Sequence, residues 1–80
     1  MKLETLRSYI VMGREIEFSY GGRMYSITYT FANKKQTIHF CQFNNPSEDY
    51  DSVDGFLTSA TIGDGYLRDI LGMVEDMIVY

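Results

Sequence analysis

Residues 14–31, "REIEFSYGGRMYSITYTF", carry the fold in their period. Ile16, Phe18 and Tyr20 alternate with Glu15, Glu17 and Ser19, and Tyr25, Ile27, Tyr29 and Phe31 alternate with Met24, Ser26, Thr28 and Thr30. Alternation of this kind belongs to a strand with one face in a core and the other toward water. Gly21-Gly22 stands between the two runs and tolerates the positive φ angles of a two-residue hairpin turn. The stretch therefore predicts an antiparallel hairpin whose aromatic face is covered.

Working outward, Leu3, Leu6 and Ile10 follow helical spacing ahead of Gly13, a left-handed helix-ending residue, which predicts a helix over about residues 2–12. Downstream, "ANKK" is a second turn and "QTIHFCQF" a third strand, with Ile38 and Phe40 on the buried face and Thr37, His39, Cys41 and Phe43 on the other. The expectation is a three-stranded meander in an α+β domain over residues 1–80. Pro46 and acidic residues interrupt the pattern. Ser52 then offers a cap for a short helix carrying Val53, Phe56 and Leu57, and Asp64 a cap for a longer one carrying Leu67, Ile70, Leu71 and Val74. Both helices are expected on one sheet face. Residues 76–80, "DMIVY", read either as a short strand at the sheet edge or as a frayed helix end.

Eighty residues hold material for one core. A hydrophobic fraction of 45% with 22% charged residues is that of a soluble globular chain, and no apolar run approaches the roughly 20 residues of a membrane span. Met1-Lys2 opens directly into an amphipathic pattern, which predicts no secretory leader. Cys41 has no partner for a disulfide, so the expected compartment is the reducing cytoplasm.

The order of a short helix, "GREIEFSYGGRMYSITY" (13–29), an aromatic third strand, an acidic connection and "IGDGYLRDI" (62–70) resembles a group of small uncharacterised proteins from Gram-positive gut bacteria and their mobile elements. The likeness spans nearly the whole chain. The group has no assigned activity, so the resemblance implies a bacterial, mobile-element setting and no functional residue.

Several chemistries fail on spacing. An EF-hand loop begun at Asp49 meets Val53 at its fifth position and Asp54 where glycine belongs. His39 and Cys41 share a strand face, but a structural zinc site takes four ligands, and the chain has one His and one Cys. "IGDGYL" lacks the Lys-Ser/Thr of a phosphate loop and puts Asp64 where the anion would sit. With a single His, no Ser–His–Asp arrangement is expected, and the chain reads as a non-enzyme without cofactor or metal.

Charge layout is the remaining signal. Residues 1–43 hold six Lys/Arg against three Asp/Glu, a net +3, whereas residues 44–80 hold one Arg against eight Asp/Glu, a net −7. Glu48, Asp49, Asp51 and Asp54 concentrate that charge and are the candidate partner-binding residues, facing a basic protein surface. In a mobile-element setting the expected role is an inhibitor or regulator that imitates nucleic-acid charge against a basic, nucleic-acid-binding protein. Direct nucleic-acid or membrane binding is not expected. Two alternatives stay open: single-stranded nucleic-acid binding by sheet aromatics and the basic half, and homodimerisation through a patch of Met24, Phe43 and Tyr80.

Overall fold

In the computed structural model, which describes residues 1–80, the hairpin forms as its period predicts: β1 (Ile16–Tyr20) pairs antiparallel with β2 (Arg23–Ala32), Phe18 opposite Tyr25 and Ile16 opposite Ile27. Gly21 and Gly22 both have positive φ, 60° and 76°, which matches the turn to the right-handed strand twist. β3 (Lys35–Gln42) follows through a second two-residue turn, where Asn33 and Lys34 take φ of 53° and 63°.

The sheet has five strands, in the order β4-β3-β2-β1-β7, where the sequence predicts three and leaves residues 76–80 as a possible fourth. β4 (Glu48–Tyr50) lies inside the acidic stretch and pairs with β3, and β7 (Glu75–Val79) pairs antiparallel with β1. Residues 75–79 therefore form an edge strand, not a helix end. Both additions are short or charged edge strands, whose single covered face leaves little periodicity to read.

Three helices cover the other side. α1 (Leu3–Val11) matches its expected span, and α2 (Val53–Ser59) is capped by Ser52, whose Oγ accepts from Gly55 N at 3.0 Å. Asp64, however, does not cap a helix. It sits in the turn of a small second hairpin, β5 (Thr61–Ile62) with β6 (Gly65–Tyr66), and α3 (Leu67–Ile70) starts after it without a side-chain cap and continues as one 3₁₀ turn, Leu71–Met73. "GD" between two residue pairs closes a tight hairpin as readily as it opens a helix, and Gly63 with φ of 60° selects the hairpin.

Ile16, Phe18, Tyr25, Ile27, Ile38 and Phe40 meet Leu6 and Ile10 of α1, Phe56 and Leu57 of α2, and Leu67 and Ile70 of α3 in one core with no buried polar or charged residue. The rings of Phe18, Tyr25 and Phe40 stack in sequence, 5.5 Å and 6.0 Å between neighbours, so aromatics close a small core without Trp. The opposite sheet face has no helix on it.

Gly13 ends α1 at φ of 71°, and a Cβ there would stand 3.2 Å from Cζ of Phe31. Phe31 is exposed and its ring can give way, so the backbone sets the cost. Gly13→Ala is expected to lower stability by about 1–2 kcal/mol, read from the urea midpoint.

Candidate interaction surface

The structure separates the four acids that the sequence groups. In β4 the side chains alternate, so Asp49 lies on the open sheet face while Glu48 and Tyr50 point to the helix side. Tyr50 donates to Oε2 of Glu48 at 3.0 Å, and burial, with that bond second, pushes its phenol up to about 12. Asp54, in the first turn of α2, accepts from Arg7 of α1 at 2.6 Å and is locally neutralised. Asp51 lines a recess with Lys35 and Ser52. The segment is a connector with three environments, not one negative face.

Asp49 belongs to a line of hydrogen bonds. His39 Nδ1 donates to Asp49 Oδ1 at 2.7 Å, Ser47 Oγ donates to the same oxygen at 2.8 Å, and His39 Nε2 meets Thr30 Oγ1 at 2.6 Å. A threonine hydroxyl donates or accepts a hydrogen bond, so the line closes whichever role Nε2 takes. The bond from His39, then that from Ser47, holds the Asp49 carboxyl below the usual carboxylate range. Sequence reasoning, looking for Ser with a single His, missed this hydroxyl–imidazole–carboxylate alignment. The register supplies it, because Thr28 faces His39 and His39 faces Asp49 across three strands, with Thr30 one step along the same face. None of the four surface recesses includes Thr30 or His39, and the line ties β4 to β3 and β2. Cys41 is engaged separately, its Sγ 3.2 Å from Ser26 Oγ, and no three metal-ligating side chains converge anywhere.

Because the folded Asp49 pKa is depressed, its contribution to stability is complete above the unfolded value of about 3.9 and is lost as pH falls through the lower folded value. Urea midpoints of the wild type and Asp49→Asn are therefore expected to differ at pH 6 and to converge in strong acid.

The fold also gathers acids that are far apart in sequence. Glu75 and Asp76 border a recess with Gly21 and Gly22, and Gly63, next to Asp64, borders another beside the same turn. Asp64, Glu75 and Asp76 thus mark the Gly21–Gly22 end of the sheet. Of the eight carboxylates in residues 44–80, Asp54 is ion-paired with Arg7 and Asp49 is hydrogen-bonded to His39; Glu48, Asp51, Asp64, Asp69, Glu75 and Asp76 are exposed and have no cationic partner. Lys34, in the turn between β2 and β3, and Lys35, the first residue of β3, stand at the opposite end.

Met24 and Phe43 are partly exposed neighbours, joined through Phe43 N to Met24 O at 2.9 Å. Tyr80 lies beyond the far edge, its hydroxyl donating to Glu17, so the three do not form the single patch expected for a dimer. No helix is long and apolar enough to cross a membrane. No protein-family description, curated protein or solved structure matches the chain.

Proposed function

We propose that the protein is a non-catalytic interaction protein that docks its acidic C-terminal half on a basic protein surface. The supporting observation is the set of six exposed, unpaired carboxylates from residues 44–80, with Asp64, Glu75 and Asp76 at one end of the sheet. Fixed carboxylates without internal counter-ions raise encounter rates with a cationic partner and select against anionic ones. The proposed setting is the bacterial cytoplasm, and the proposed partner is a nucleic-acid-binding protein whose basic groove the acids occupy.

Single-stranded nucleic-acid binding by the sheet is less favoured. Tyr25 and Phe40 lie in the core, Tyr29 is half buried with its hydroxyl on Arg14 O, and the open face presents Ser26, Thr28 and Thr30 at its centre. Base stacking needs accessible rings.

The identifying experiment is a pull-down from bacterial lysate at low and moderate salt. Wild type is compared with a variant carrying Asp51→Asn, Asp64→Asn, Glu75→Gln and Asp76→Asn. Retention of a nucleic-acid-binding protein by the wild type and its loss with the variant is the expected result. Equal retention by both would remove the acidic surface from the account.

A further inference from the structure

The most exposed large apolar side chains in the chain are Phe31, Val11 and Met12, at 68%, 66% and 62%. They come from different elements yet meet at one end of the molecule. Gly13 sits against the Phe31 ring, and Gln36 Nε2 donates to Ile10 O at 2.9 Å, which ties the end of α1 to the β2–β3 hairpin. Lys34 and Lys35, in and after the hairpin turn, have no ion-pair partner, and Arg14 follows Gly13 with its guanidinium over the Tyr9 ring and bonded to Tyr80 O. Glu15 follows Arg14 in the chain, and Asp51 lines the Lys35 recess.

The geometry points to this tip as a peripheral contact for an anionic phospholipid surface. Apolar side chains with cations close by suit the boundary between headgroups and acyl chains, where the former enter and the latter pair with phosphate and serine carboxylate. Three features favour lipid over other occupants. None of the surface recesses contains Val11, Met12 or Phe31, so the tip offers no recess for a peptide side chain. Two of the three apolar side chains are aliphatic, which suits acyl chains and not base stacking. The acids at the Gly21–Gly22 end are held away from the membrane by the length of β2, ten residues, or about 30 Å at strand rise. That exceeds the Debye length of about 10 Å at 0.1 M salt, so the charges of Asp64, Glu75 and Asp76 are screened from a surface that the tip approaches.

The test is co-sedimentation of the full chain with mixed phosphatidylserine–phosphatidylcholine vesicles and with phosphatidylcholine vesicles alone. Binding is expected only to the mixed vesicles. It should weaken about thirtyfold in Lys34→Gln with Lys35→Gln, the factor for two surface cations, and disappear in Met12→Ser with Phe31→Ser. Circular dichroism should show both variants folded, since all four positions are exposed. No sedimentation of the wild type at low salt, or undiminished sedimentation of the Met12/Phe31 variant, overturns the proposal. A concentration-dependent dimer, or a shift of single-stranded DNA, that appears without vesicle binding and is lost in the same variant would assign the tip to that occupant instead.

Discussion

Phe56→Ala is expected to remove most of the folding stability. Phe56 is fully buried where α2 meets the sheet, with the Phe40 ring at 5.6 Å and the Tyr50 ring at 5.2 Å, both edge-on. Truncating a buried Phe costs about 3–5 kcal/mol, because transfer free energy is lost and the cavity relaxes only in part. An 80-residue domain has in total roughly 4–12 kcal/mol at typical per-residue stability. The variant should therefore unfold at the lowest urea concentrations or lose its cooperative transition at 25 °C. β4 should be the first element to loosen, since Tyr50 is its one side chain against the core cluster. Phe31→Ala is the control, with a change within about 0.5 kcal/mol for an exposed ring. A Phe56→Ala loss below about 1 kcal/mol would mean that α2 does not close the core as described.

The parts of the fold legible in the sequence are those where one residue type repeats at one spacing. Ile16, Phe18, Tyr25 and Ile27 announce both strands of the hairpin, Leu6 and Ile10 announce α1, and Ser52 announces α2. Leu67, Ile70 and Leu71 are buried as their spacing requires, although the helix that carries them is one short turn run into a 3₁₀ turn. Illegible were elements whose evidence lies in a partner. β4 is a strand because β3 offers it an edge and Tyr50 finds Phe56, and three residues, two of them acidic, show no period alone. β7 is legible as one of two readings of residues 76–80, but its bend at a register shift opposite β1, with Asp76 at φ of 54°, is not.

The same limit governs the surface. Adjacency in sequence suggested one face from Glu48, Asp49, Asp51 and Asp54; strand alternation turns Asp49 away, and Arg7 neutralises Asp54. The more coherent acidic end, with Asp64, Glu75 and Asp76, depends on which strand ends share a pole, and that follows only from the sheet order. The tip formed by Val11, Met12 and Phe31 is hidden for a related reason. Phe31 continues the buried alternation of β2 in sequence, but the strand runs past the end of α1, so nothing covers it.

The acidic-docking account makes a quantitative demand on affinity. Binding dominated by exposed carboxylates weakens as salt rises, since screening acts on pairs that water reaches. Four neutralised carboxylates at about 0.5 kcal/mol each amount to about 2 kcal/mol, or roughly thirtyfold in Kd. Folding stability should stay near that of the wild type, because Asp51, Asp64, Glu75 and Asp76 are exposed and make no ion pairs.

The most direct test is the Kd of the captured partner measured by titration calorimetry between 50 and 300 mM salt, a range set by the change in Debye length, for the wild type and the Asp51/Asp64/Glu75/Asp76 variant. The account predicts a steep rise of Kd with salt for the wild type, and for the variant a shallower rise that starts roughly thirtyfold weaker. Equal affinities and parallel salt dependences for the two proteins would contradict it and place the contact elsewhere on the surface.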